Sequence, residues 1–119
     1  MRPRKSSTVL LENVKALRKA SRATGAAIWG ALAERMEATR RNKVAVNLSR
    51  LNRAVGRGET AAVPGKVLGS GKIDHPVTVA AFQFSTAARR RIEEAGGKPI
   101  GILELLQENP EGSGVKLIA

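Results

Sequence analysis

The sequence predicts an α/β fold in a single domain: two N-terminal helices, then strands and helices in alternation to the C-terminus. Three observations carry that prediction. Apolar residues between Leu10 and Met36 recur at helical spacing. From Thr60 the composition shifts toward β-branched residues and glycine. Val77 to Phe84 is a mostly apolar run followed at once by Ser85 and a second helical segment. The chain has 119 residues, enough for one core and too few for two.

The first seven residues read as a basic tail, and the remainder, residues 8–119, as the single domain. A helix is expected from about Thr8, because Leu10, Val14, Leu17 and Ser21 fall within ~60° of one another at helical pitch. Lys15, Arg18, Lys19 and Arg22 occupy a neighbouring sector ~100° wide, so one face can pack while the next meets an anion. Thr24-Gly25 provides a cap and a joint before a second helix over residues 26–38, whose stripe is Ile28, Trp29, Leu32 and Met36. Arg40-Arg41-Asn42-Lys43 forms a basic loop. Val44-Ala45-Val46 then reads as a short strand, and Leu48, Leu51 and Val55 as a helical turn with Arg50, Arg53 and Arg57 outside its apolar stripe.

Past Gly56-Arg57-Gly58 the spacing predicts two short strands, Ala61-Ala62-Val63 and Val67-Leu68, on either side of Pro64-Gly65-Lys66. Gly69-Ser70-Gly71-Lys72 is a turn. Val77–Phe84 is apolar on both faces and so predicts a central strand covered twice. Ser85 caps a helix over Thr86–Ala95, stopped by Gly96-Gly97. A last helix runs from Ile102 to Glu108 before Asn109-Pro110, and Val115–Ile118 closes as a strand.

Charge narrows the function. Lys and Arg total 21 against 10 Asp and Glu, a net charge of +11. All of that excess lies in residues 1–57, with fourteen basic and three acidic side chains; residues 58–119 hold seven of each. The domain thus divides into a basic helical half, 8–57, and a neutral α/β half, 58–119. So basic a half-chain repels itself unless a polyanion neutralises it, and nucleic acid is the expected partner. No stretch approaches the ~20 apolar residues of a membrane span, and the run Val9-Leu10-Leu11 is short of the ~7 a secretory signal needs. There is no cysteine, which removes disulfides, zinc thiolates and a thiol nucleophile.

Catalytic signatures fail on inspection. A phosphate-binding loop requires four residues between Gly and Gly-Lys and a hydroxyl after the Lys; Gly65 precedes Gly71-Lys72 by five intervening residues, and Ile73 follows. Asp74 stands where a dinucleotide fingerprint beginning Gly69-x-Gly71 needs its third glycine. His75 is the only histidine. Asp74 is its neighbour in sequence, but consecutive strand side chains point to opposite faces, so His75 reads as a turn or strand-entry residue rather than a base with its orienting acid. The chain is therefore expected to be no enzyme, with no cofactor, no metal site and no small-molecule substrate.

The candidate nucleic-acid contacts are the tail, Arg2, Arg4 and Lys5; the helical face, Lys15, Arg18, Lys19 and Arg22; the loop, Arg40, Arg41 and Lys43; the following turn, Arg50, Arg53 and Arg57; and Lys66 and Lys72 beyond it. Arg89-Arg90-Arg91 reads equally well as a solvated face, with Glu93 and Glu94 in pairing range, or as a phosphate contact. Trp29, Phe82 and Phe84 are the only aromatics, and all three fall on core positions. No stacking platform for single-stranded bases is left, so phosphate and shape should dominate binding. An architectural DNA-binding protein would use the same cations.

Two stretches carry a family resemblance. Arg40-Arg41-Asn42-Lys43-Val44-Ala45-Val46-Asn47-Leu48-Ser49-Arg50-Leu51-Asn52-Arg53 is one. The other is Val63-Pro64-Gly65-Lys66-Val67-Leu68-Gly69-Ser70-Gly71 with Asp74-His75-Pro76-Val77-Thr78-Val79-Ala80-Ala81-Phe82. Together they resemble the archaeal and eukaryotic large-subunit ribosomal proteins of the L-eighteen-e type, relatives of bacterial ribosomal protein L-fifteen, from about Thr8 to the C-terminus. The resemblance implies two leading helices followed by irregular β-β-α turns stacked into a superhelix. It also implies a structural, cytoplasmic role in the large ribosomal subunit, with large-subunit ribosomal RNA and neighbouring ribosomal proteins as partners. It carries no catalytic residue, and Met1 to Ser7 matches none of its motifs.

Overall fold

The computed structural model describes residues 5–38 and 45–119, the side chains of residues 5–9 and 38 excepted. Two helices, α1 (Lys5–Thr24) and α2 (Ala27–Ala38), come first. Then follow β1 (Ala45–Asn47), α3 (Leu48–Ala54), β2 (Thr60–Leu68), β3 (Thr78–Phe84), α4 (Thr86–Glu94), β4 (Lys98–Gly101), α5 (Ile102–Glu108) and β5 (Val115–Leu117). The α/β prediction therefore holds. All five strands are parallel, in the order β1-β2-β3-β4, with β5 sharing the β1 edge of β2.

Parallel strands are covered on both faces, and here the two covers have different compositions. One face of β2 and β3 presents Ala61, Val63, Val67, Val79 and Ala81 to Leu48, Leu51 and Val55 around α3 and to Ala88 and Ile92 of α4. The other presents Ala62 and Ala80, whose small side chains leave the volume to Trp29, Leu32 and Met36 of α2, with Val14 and Leu17 of α1 and Leu105 of α5. The sheet thus separates α3 and α4 from α1, α2 and α5. Both clusters draw on residues before and after Arg57, so the boundary between basic and neutral halves is not a packing boundary.

Three local outcomes differ from the sequence expectation. First, α1 begins at Lys5 instead of near Thr8, because the apolar repeat that marks it in the sequence begins only at Leu10. Second, the two strands expected around Pro64-Gly65-Lys66 are one, β2, whose pairing to β3 shifts register between Val63 and Lys66. That irregularity accommodates Pro64, which has no N–H to give the ladder. Third, β4 was not expected at all; it is a strand through pairing with β3, Thr78 to Lys98 through Ala81 to Gly101. The strand expected at Val44–Val46 is present as β1 from Ala45, and Val44 lies outside the described residues.

The stop and start signals around α4 worked as chemistry predicts. The Ser85 hydroxyl accepts the Ala88 amide at 3.1 Å and caps α4. Gly97 is required by proximity: a β-carbon there would collide with the carbonyl oxygen of Val77, the acceptor through which Lys98 begins the β3–β4 ladder.

Candidate nucleic-acid interface

On α1, Lys15, Lys19 and Arg22 are exposed, as the helical spacing requires. Arg18 differs: it is half-buried between the first two helices and forms an ion pair with Glu37. Ser21 lies opposite Gly30 across the same helix pair, and the two small residues let α1 and α2 approach. Lys5 lies in α1, its side chain outside the described residues; Arg2, Arg4, Arg40, Arg41 and Lys43 lie outside them altogether.

The second group of cations is built by a loop lashed to a helix. After β2 the chain runs along α3 and touches it repeatedly. The Ser49 amide donates to the Ser70 carbonyl at 3.2 Å, and the Asp74 amide donates to the Asn52 side chain at 3.1 Å. His75 Nε2 sits 2.6 Å from the Val55 carbonyl. Gly71 has φ +86°, and a β-carbon there would lie 2.6 Å from that of Ser49, so only glycine permits both the turn and the contact. Exposed Lys72 is thereby carried beside α3, where Arg50 and Arg53 are exposed, with Arg57 in the turn just beyond. Lys66 is exposed on β2, in register with Ala45 of β1.

Arg89, Arg90 and Arg91 separate into different roles. Arg89 stacks over the Phe84 ring, 5.1 Å from its centroid. Arg91 Nη1 donates to the carbonyls of Gly69 at 2.6 Å and Gly71 at 3.0 Å. Arg90 is exposed and forms no ion pair among the described residues. Glu93 and Glu94 pair with none of the three, although the helical spacing would allow it. The basic groups thus lie on both sides of the sheet, α1 on one and α3 with its loop on the other.

Asp74 and His75 do meet, contrary to the extended-strand expectation, because the chain bends there before β3 begins at Thr78. His75 Nδ1 is 2.8 Å from the Asp74 carboxylate, and its side chain is 16% exposed. With acceptors on both ring nitrogens, the imidazolium form satisfies both. The Asp74 carboxylate first, then the Val55 carbonyl, raise the His75 pKa above 6.5, against partial burial and the charge of Arg57. Asp74 is correspondingly lowered from 3.8, chiefly by His75.

The sign of the linkage follows. The raised His75 pKa contributes stability that is complete below the unfolded value of 6.5 and disappears as pH rises through the higher folded value. The lowered Asp74 pKa contributes stability present above 3.8 and lost as pH falls through the folded value. Thermal unfolding of the protein beside His75→Gln should therefore differ more at about pH 6 than at about pH 8. An equal difference at both pH values would mean that the imidazolium does not hold this loop.

Lys116 pairs with Glu59 at 2.9 Å, and Glu59 also accepts the Gly56 amide at 2.6 Å. Among the described residues, then, Glu37 and Glu59 are paired with cations, and Asp74 with the His75 imidazole. Lys15, Lys19, Arg22, Arg50, Arg53, Arg57, Lys66 and Lys72 form no ion pair. No helix among the described residues is long and apolar enough to cross a membrane.

Residues 1–119 match the family described as ribosomal protein 60S L18 and 50S L18e. The chain is 46% identical over 114 residues to the large ribosomal subunit protein eL18 of Methanothermobacter thermautotrophicus, covering 96% of this chain and 94% of that one. It is 45% identical over 116 residues to the protein of the same name from Methanoregula boonei, covering 98% and 92%. Against that of Pyrobaculum aerophilum it is 44% identical over 102 residues, covering 86% and 84%.

Proposed function

The chain belongs to the L18 and L18e family of large-subunit ribosomal proteins, and from that premise we propose that it holds large-subunit ribosomal RNA by neutralising backbone phosphates. Membership makes it a structural constituent of the ribosome that supports translation, and not an enzyme. Its partners are ribosomal RNA and neighbouring ribosomal proteins, and its place is the cytoplasmic ribosome.

One observation carries the phosphate reading: eight exposed cations on α1, on α3 and on the segments after α3 form no ion pair among the described residues. Arg2, Arg4, Lys5, Arg40, Arg41 and Lys43 add to this set by charge, and Arg18 shares its charge with Glu37. The two basic groups lie on opposite sides of the sheet, so RNA would meet the protein on two faces, by shape and charge more than by base identity.

Each phosphate neutralised contributes about 0.7–0.9 to the slope of log K against log salt. The eight unpaired cations alone would contribute a slope of about −6 to −7 on naked ribosomal RNA, and the cations that add to them by charge would steepen it. A slope near zero would remove the electrostatic account.

A further inference from the structure

The β2–β3 loop that presents Lys72 is not held by its own backbone alone. Its inner side is pressed against the first turn of α3 through Gly71 and the Ser49–Ser70 hydrogen bond. Past Lys72 the loop is tied to α3 again through Asp74 and His75. The turn itself is held from outside by Arg91, which comes from α4, twenty residues further on, and whose Nη1 grips the carbonyls of Gly69 and Gly71 together. Two carbonyls on one guanidinium nitrogen fix both ends of the turn, and a charged donor makes each bond stronger than a neutral one. From this geometry we propose that Arg91 is a positioning residue for RNA binding: it locks the Gly69–Lys72 turn against α3, so that Lys72 and Arg50 meet the phosphates as one preformed surface.

The inference rests on the phosphate-binding reading above and adds a residue from the neutral half of the sequence. The physical reason is preorganisation. A turn with six backbone dihedrals free between Gly69 and Lys72 would have to be ordered at the moment of binding, and RNA affinity would fall by the fraction of time the loop is out of place. Arg91 removes that cost before RNA arrives. Its charge is spent on the carbonyls, whereas Arg90, on the same helix, has no such partner.

A double-mutant cycle on the full chain tests this, with a mixed-sequence RNA duplex as probe. Lys72→Ala alone should weaken binding about five- to eightfold at about 0.1 M salt, the worth of one phosphate contact. In an Arg91→Ala background the same change should cost less than about twofold, because Lys72 is no longer held in place. In an Arg90→Ala background it should keep its full effect. Amide exchange at Ser49 in the free protein should quicken in Arg91→Ala and not in Arg90→Ala. Arg91→Gln, which keeps a donor but no charge, provides a second variant and should fall between the two.

An undiminished Lys72 effect in the Arg91→Ala background overturns the positioning role while leaving phosphate binding intact. Absence of any Lys72 effect in the wild type, with no salt dependence, overturns the phosphate reading itself and this inference with it. A salt slope lowered by about 0.7–0.9 in Arg91→Ala, with Lys72 still fully effective, would make Arg91 a direct phosphate contact instead.

Discussion

Trp29→Ala is expected to destabilise the protein by about 3–5 kcal/mol, the usual cost of emptying a buried aromatic site. Trp29 is 0% exposed and is the largest side chain between α2 and the sheet. The neighbouring sheet residues are Ala62 and Ala80, which cannot expand to fill the space. The indole also does something a hydrocarbon could not: Nε1 donates to the Pro110 carbonyl at 2.7 Å, and the ring lies against Gly112. The turn after α5 is thereby tied to α2, which brings β5 to its place on β2. Against a typical total of about 5–15 kcal/mol, that loss would leave a marginal fold. Urea unfolding of Trp29→Ala and Trp29→Phe separates the contributions. The phenylalanine variant keeps most of the volume, gives up the hydrogen bond and should lose only about 1–2 kcal/mol. A midpoint for Trp29→Ala close to that of the wild type would mean that α2 does not bear the packing assigned to it.

The second large effect concerns function. Replacing Arg50, Arg53 and Arg57 together with alanine should weaken RNA binding on the order of a hundredfold or more at about 0.1 M salt, and shrink the salt slope by about 2–3. The three side chains are exposed and take part in no ion pair, so the fold should survive their loss. The deficit should be similar for RNAs of different sequence, because phosphates carry no base information. Arg89→Ala is the internal control: that side chain stacks on Phe84, and its removal should change the slope little. A triple variant with wild-type affinity and slope would move the RNA contacts away from α3.

Elements with a local cause were legible in the sequence. Ser85 and Gly96-Gly97 delimit α4 because capping and stopping are decided by a few adjacent residues. Ile102–Glu108 is a helix over its full expected span, ended by Asn109-Pro110. Elements made by partners were not. Lys98-Pro99-Ile100-Gly101 has neither the length nor the pattern of a strand, and becomes one only because β3 offers it a ladder. Pro64-Gly65 reads as a break, yet β2 continues through it by a shift in register.

The interface divides in the same way. That Lys15, Lys19 and Arg22 share an exposed face follows from helical pitch alone. That Arg18 is claimed by Glu37, nineteen residues away, does not. Nor does the contact between Asp74 and His75, which depends on a bend, or the grip of Arg91 on Gly69 and Gly71, which depends on how α4 packs. Long-range contacts between charged or polar groups leave no periodicity to read.

The most direct test of the central claim is quantitative mass spectrometry of the large-subunit peak from salt-washed ribosomes separated on a sucrose gradient. Near-stoichiometric recovery of this chain in that peak is the predicted result for a structural constituent of the large subunit. Its absence there, with the protein found free or with chromatin, would contradict the account and turn the same cations toward DNA.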